Sequence, residues 1–161
     1  MDYFRKKLLY TIRKFGMISN GDVVGYKEGS DFRSVVLKEM LEMFSKRANI
    51  SLVKLLSKKA RKIAVNSTLD LEANEITETI IKNSAESLKK ASPVENSIVK
   101  PLYLFLDEEV FLYAKLRNLK FKDDKRKQNK ISEFIDVLEK KHPEIKRAIV
   151  NSYLKIYNRE K

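Results

Sequence analysis

The side chains with the clearest chemical potential in this sequence are its lysines and arginines, which are concentrated in two short segments. Residues 46–62 carry seven Lys or Arg and no acid, and residues 115–130 carry eight against two acids, Asp123 and Asp124. The net charges of the two segments add up to more than the net charge of +12 of the whole chain. Cationic groups at this density attract phosphate. The pattern predicts a polyanionic partner, in the first place the backbone of DNA or RNA.

We predict which of these side chains bind nucleic acid. They are Lys54, Lys58, Lys59, Arg61 and Lys62 in the first segment, and Arg117, Lys120, Lys122, Lys125, Arg126 and Lys127 in the second. Lysine side chains contact mainly phosphates and discriminate little between bases. Binding should therefore be sensitive to salt and weakly specific for sequence. Ordinary solvated surface and a membrane surface are the alternatives. The neighbouring apolar residues fit core positions, which makes the membrane the lesser of the two.

Aromatic residues near the basic segments could stack on bases. Tyr113 and Phe121 flank the second segment, and Tyr153 and Tyr157 lie near the end of the chain. A place in the core or at its edge is the simpler interpretation for most of them.

Groups suited to catalysis are few. The absence of cysteine excludes disulfides, thiolate catalysis and cysteine-ligated zinc or iron–sulfur clusters from this sequence. The one histidine, His142, precedes Pro143 at a helix junction, where it fits the capping of the preceding helix. A serine hydrolase would need a base beside its nucleophile, and no other imidazole exists. These observations predict a protein without enzyme activity and without a cofactor.

Two acidic clusters and three glycines do not match the pattern of a metal site or a phosphate-binding loop. The adjacent carboxylates at 107–109 would point in different directions on a helix, and those at 123–124 fall in a predicted loop, so neither group by itself converges on a metal. Gly21, Gly25 and Gly29 are spaced by four but lack the lysine and hydroxyl of a phosphate-binding loop.

The elements that must position these groups are predicted to be helices. Four glycines and three prolines in 161 residues are few for a β-rich fold. We predict an all-α fold: a single helical domain over residues 1–161, a compact bundle of about six to eight helices with at most a small β-hairpin at 18–26. The predicted helices cover residues 2–15, 32–47, 51–66, 71–90, 92–100, 107–119, 131–141 and 143–156.

The predicted helix over 51–66 would carry the first group of binding residues. Its apolar residues fit one buried face: Leu52, Leu55, Leu56, Ala60 and Ile63. Lys54, Lys58, Arg61 and Lys62 would then share the outer face. This arrangement predicts a rigid phosphate-binding surface.

One further segment is open to more than one interpretation. Residues 102–119 are so uniformly apolar that one long helix, an extended stretch followed by a helix from Asp107, and a hairpin at 107–108 all fit; we favour the helix from Asp107. Ser92–Glu95 reads as a capping box with proline at the first helical position. Residues 120–130 are predicted to form a mobile basic loop.

Residues 55–88 resemble the helical core of archaeal GINS subunits. The matching positions are Arg61, Lys62 and Ile63 in a basic run, followed by Glu75 in an acidic-start helix. GINS proteins are non-catalytic scaffolds of the replicative helicase. The resemblance implies an accessory subunit that binds nucleic acid and other protein subunits in DNA replication.

Size, charge and helical content are also similar to those of the small helical subunits of CRISPR effector complexes. A protein–protein scaffold whose basic faces dock onto acidic partners is the remaining alternative. No apolar run reaches the length of about 20 residues that spans a bilayer, and the N-terminus lacks a secretory signal, so we expect a cytoplasmic protein with no membrane partner.

Overall fold

The structure, a computed structural model, describes residues 2–55, 59–122 and 129–157. Its fold is mixed α/β, so the predicted all-α bundle is wrong. The helices are α1 (Asp2–Lys14), α2 (Phe32–Ser45), α3 (Leu69–Ile81), α4 (Ala85–Leu88), α5 (Asp107–Leu116), α6 (Lys130–Lys141) and α7 (Ile145–Tyr157). The strands are β1 (Val23–Tyr26), β2 (Ser51–Lys54), β3 (Lys62–Ala64), β4 (Val94–Glu95) and β5 (Ile98–Val99).

The five strands form one sheet in the order β2-β1-β3-β5-β4. Strand β4 is antiparallel to β5, and the other pairings among the described strands are parallel. Strand β1 lies between β2 and β3, which come from the first basic segment. In the register of the sheet, Val24 pairs with Leu52 of β2 on one side and with Lys62 of β3 on the other. The predicted helix over 51–66 is therefore wrong, and the outer helical face on which its lysines were to lie does not form.

The predicted short helix over 92–100 is also wrong. Its residues form the β4–β5 hairpin, in which Val94 pairs with Val99 and the Lys100 amide donates to the Pro93 carbonyl at 3.1 Å. Asn96 sits in the turn with φ of 52°, a conformation that asparagine tolerates better than most residues. The residues of the predicted capping box therefore lead into a β-hairpin instead of starting a helix.

The ranges of α1, α2, α6 and α7 agree with the predicted ones. The predicted helix over 71–90 is wrong as a single element, because α3 ends at Ile81 and Asn83, with φ of 52°, separates it from α4. The start of α5 at Asp107 confirms the favoured interpretation of the apolar segment. Asp31 caps the N-terminus of α2. His142 ends α6, and its amide donates to the Leu138 carbonyl at 2.8 Å.

The chain divides into two compact units. Unit 1 (Met1–Thr68 and Pro93–Asp124) contains the sheet with α1, α2 and α5, and its core includes Leu8, Val24, Met40, Tyr103 and Tyr113, all buried.

Unit 2 (Leu69–Ser92 and Lys125–Lys161) is helical. Its buried Lys146 pairs with Asp70 at 2.9 Å, Asp136 at 3.1 Å and Glu139 at 2.6 Å. Burial alone would lower the pKa of Lys146, but the hydrogen bonds to these carboxylates raise it overall. Among the described residues, no helix is long and apolar enough to cross a membrane.

Candidate functional site at the switch point of the sheet

The order of the strands creates a switch point between β1 and β3. From β1 the chain passes through α2 to β2 on one side, whereas from β3 it continues to β4 and β5 on the other. In open parallel sheets, ligands bind beyond the carboxyl ends of the strands at such a point, because the diverging connections leave a crevice. Here those ends are the paired residues Tyr26 and Ala64.

A cavity of about 320 Å³ lies at this switch point. Its polar lining comes from the loop after β1, the first turns of α2 and the segment after β3. The polar residues are Lys27, Glu28, Asp31, Ser34 and Asn66. Elements far apart in the sequence thus contribute to one pocket of unit 1.

Asp31 is the centre of the hydrogen-bond network in this pocket. Its Oδ1 accepts from the amides of Arg33 at 3.1 Å and Ser34 at 3.2 Å, and its Oδ2 accepts from Ser34 Oγ at 2.5 Å. Asn66 Nδ2 in turn donates to Ser34 Oγ at 2.8 Å. The Asp31 carboxylate therefore fills the place at the N-terminus of α2 where a free anion would otherwise bind.

Gly29 allows the loop to approach this network closely. A Cβ added at Gly29 would lie 2.5 Å from Ser34 Oγ, 2.7 Å from Ser34 Cβ and 3.0 Å from Asp31 Oδ2. Because such contacts are closer than side-chain atoms tolerate, the loop conformation depends on the absence of a side chain at this position.

A second network joins α5 to the same end of α2. Arg33 donates through Nε and Nη2 to the two carboxylate oxygens of Asp107 at 2.8 and 2.9 Å, and Thr68 Oγ1 donates to Asp107 Oδ1 at 2.6 Å. Arg33 is buried. A planar two-point pair of this kind fixes orientation as well as distance, so it positions the first turn of α2 beside the pocket.

Both basic segments reach the loop that lines the pocket. Lys54 Nζ, at the end of β2, lies 3.0 Å from Glu28 Oε2. From the second segment, the Lys122 amide donates to the Ser30 carbonyl at 2.7 Å. Hydrogen bonds from Lys54 and then Lys38 lower the pKa of the exposed Glu28 carboxyl. Residues that are 68 positions apart along the chain, Lys54 and Lys122, thus adjoin one loop.

The other predicted binding residues are distributed differently. Lys59, Arg61 and Lys120 are exposed, and Lys62 is half-buried as the first residue of β3. Arg117 is exposed and pairs with Glu39 at 2.6 Å, as Lys54 pairs with Glu28. Lys58, Lys125, Arg126 and Lys127 lie outside the described residues.

Asp31, Ser34 and Asn66 were not identified as site residues from the sequence. A signal existed: a short apolar strand at 23–26 leads through Gly29 and Asp31 directly into an amphipathic helix. A strand–turn–helix unit of this kind is where parallel sheets place ligand sites.

Comparisons with protein-family models and with curated protein sequences find no match. Among solved structures, the chain is similar to the U34-tRNA thiolase NcsA from Methanococcus maripaludis, determined with its [4Fe-4S] cluster. The TM-score is 0.73 at 15% sequence identity, and the match covers 96% of this chain and 78% of that chain. The two proteins therefore share a fold.

This similarity corrects the sequence-based assignment. The resemblance to GINS subunits is wrong: Lys62 and Ile63 lie in a strand, and the fold matches that of a tRNA thiolase. The expected non-catalytic accessory subunit of DNA replication, with its CRISPR and scaffold alternatives, is overturned by the same match. The prediction of a protein without enzyme activity is overturned with it, because the fold is shared with a tRNA-modifying enzyme.

The iron–sulfur cluster of the thiolase does not fit the residues of this chain. Such clusters are held by cysteine thiolates, and the 161 residues contain no cysteine. Within residues 2–55, 59–122 and 129–157, no group of three or more His, Cys, Asp or Glu side chains is placed to hold a metal ion. No step of a reaction is therefore assigned to a cluster.

Proposed function

We propose that this protein is an RNA-modifying enzyme that acts on tRNA and uses the switch-point pocket as its reaction site. One observation carries the proposal: the two basic segments, distant in sequence, adjoin the loop that lines the pocket. Lysines at this position can hold a phosphate backbone while a nucleotide of the RNA enters the pocket. The shared fold with a tRNA thiolase supports tRNA as the class of RNA.

The pocket offers groups that can bind and orient a polar substrate. Asn66 has an amide oxygen free to accept a hydrogen bond when its nitrogen is directed to Ser34. Lys27 brings a cation to the lining, and Asp31 holds Ser34 through a hydrogen bond of 2.5 Å. Since Asp31 already caps the first amides of α2, phosphates are left to the lysines around the pocket.

Binding is tested with tRNA and matched charge reversals. The variant Lys54→Glu/Lys122→Glu should bind tRNA at least tenfold more weakly at moderate salt, because it places repulsive charge beside the pocket. The control Lys141→Glu/Lys155→Glu changes the net charge equally at exposed positions on α6 and α7. Equal losses in the two variants would overturn the assignment of the binding surface.

Catalysis is tested by mass analysis of nucleosides from total tRNA. A strain that lacks the gene should lose or reduce a modified nucleoside, and the wild-type gene should restore it. Asn66→Ala should fail to restore it while the protein accumulates normally. Identical nucleoside profiles with and without the gene would contradict the proposed enzyme activity.

A further inference from the structure

Three phenylalanines of unit 1 form a cluster next to the switch-point pocket. Phe32 begins α2, Phe111 lies on α5, and Phe121 follows α5 in the second basic segment. Their ring centroids are 5.8 Å apart for Phe32–Phe111, 6.2 Å for Phe32–Phe121 and 5.5 Å for Phe111–Phe121, all in edge-to-face geometry. We call these residues the aromatic platform.

Phe111 is the exposed member of the platform, and Phe32 and Phe121 are half-buried. Phe111 is 38% exposed, whereas Tyr113, two residues along the same helix, is buried completely. An open cavity of about 520 Å³ lies over this surface, with Phe111, Lys115, Lys120 and Phe121 in its lining. The exposure of aromatic surface to water is unfavourable in free energy, and a ligand that covers this surface would remove the cost.

Positive charge accompanies the aromatic surface. Lys115 Nζ lies 5.2 Å from the ring centroid of Phe111 and 5.6 Å from that of Phe121, within the range of cation–π attraction. Lys120 adds a second exposed cation. Aromatic rings combined with lysines are the arrangement on which proteins stack the bases of single-stranded nucleic acid while the cations hold its phosphates.

The platform is linked to the switch-point pocket through the backbone at two points. Phe32 directly follows the pocket residue Asp31, and the backbone of Lys122, next to Phe121, is hydrogen-bonded to Ser30 in the pocket loop. The pair between Arg33 and Asp107 holds the helices that carry Phe32 and Phe111 together. A nucleotide on the platform would therefore neighbour a nucleotide in the pocket.

We propose that the aromatic platform binds an unpaired base of the substrate RNA by stacking, next to the nucleotide that enters the pocket. This inference rests on the proposed function, since it names the part of the RNA that the enzyme holds. The part of the RNA that binds the platform must then be single-stranded, because a base in a duplex has no free face for an aromatic ring.

The absence of tryptophan from the chain allows a direct test. The variant Phe111→Trp places one fluorescent indole on the platform, and Tyr10→Trp is its matched control. Tyr10 is an exposed aromatic residue of α1 with Lys14 Nζ 5.4 Å from its ring, but it lies outside the platform. Both variants are titrated with oligouridylate and with an abasic ribose-phosphate oligomer of equal length, and binding is measured in parallel by electrophoretic shift.

Stacking predicts that oligouridylate quenches Phe111→Trp and leaves Tyr10→Trp unchanged, and that the abasic oligomer quenches neither. Phe111→Leu should weaken oligouridylate binding about tenfold without changing the salt dependence, because stacking releases no counterions. Binding without selective quenching of Phe111→Trp would overturn the platform and leave the proposed function standing. Failure of both oligouridylate and tRNA to bind would overturn the platform and the proposed function together.

Discussion

At the scale of single residues, Asp31 is the side chain on which the candidate site depends most. Its two oxygens accept hydrogen bonds from two amides at the start of α2 and from the Ser34 hydroxyl. Asp31→Ala should lower the free energy of unfolding by about 1–2 kcal/mol, the usual effect of losing an N-cap. Asp31→Asn should cost less, since asparagine caps helices about as well. Urea denaturation measures both, and equal losses would contradict the role of the cap.

Glu109 provides a prediction about pH. Burial tends to raise the pKa of this carboxyl, but hydrogen bonds from Lys7, Tyr3 and the Leu106 amide lower it overall. Because the folded carboxylate binds its proton less tightly than the unfolded one, its contribution is present above the ordinary carboxyl pKa of about 4.3 and is lost as the pH falls below that value.

The comparison with Glu109→Gln isolates this effect. At pH 7 the variant should be less stable than the wild type by about 2 kcal/mol, the scale of a hydrogen bond to a charged group. The difference should shrink as the pH is lowered from 5 to 3. A difference that stays constant over this range would show that the charge of Glu109 contributes nothing.

At the scale of elements, the pair between Arg33 and Asp107 links α2 to α5. Asp107→Ala would leave the guanidinium of Arg33 buried without its carboxylate, which should cost about 3 kcal/mol or more in unfolding free energy. The matched control is Glu39→Ala, which removes the partner of the exposed Arg117 and should cost less than about 1 kcal/mol. Similar denaturation midpoints for the two variants would contradict this difference.

The strands that build the site could not be predicted from local sequence. In residues 51–64 the apolar positions fit a helical face, yet β2 and β3 each span only three or four residues beside β1. What decides the outcome is non-local: the Arg61 amide donates to the Val23 carbonyl at 2.9 Å, and the Ser51 amide to the Asp22 carbonyl at 3.0 Å. Parallel pairing across such distances leaves no short-range signal.

Only the positive charge near the site could be predicted from the sequence. The basic segments are a property of composition, and two of their members, Lys54 and Lys122, adjoin the pocket loop. The contact between Ser34 and Asn66 joins residues 32 positions apart and exists only because β1 and β3 are neighbours in the sheet. Cation clusters can thus be read from a sequence, whereas a polar network between strand ends needs the topology.

At the scale of the whole molecule, the net charge of +12 attracts any polyanion, so affinity alone does not identify a binding surface. The salt dependence does, because the slope of log K against log salt counts the phosphates in contact. Each contact contributes about 0.7 for single strands and about 0.9 for duplexes. Neutralising a lysine that contacts a phosphate should therefore make the slope shallower by nearly one, and neutralising a lysine that makes no such contact should leave the slope unchanged.

Lys54→Gln and Lys141→Gln make this comparison at equal net charge. Lys54 adjoins the pocket loop, whereas Lys141 is an exposed residue at the end of α6. Binding of tRNA is measured from low to moderate salt. The slope for Lys54→Gln should be shallower than the wild-type slope by about 0.7–0.9, and the slope for Lys141→Gln should equal the wild-type slope. A wild-type slope in both variants would mean that the charge near the pocket steers RNA without touching it, and the phosphate contact at Lys54 would be wrong.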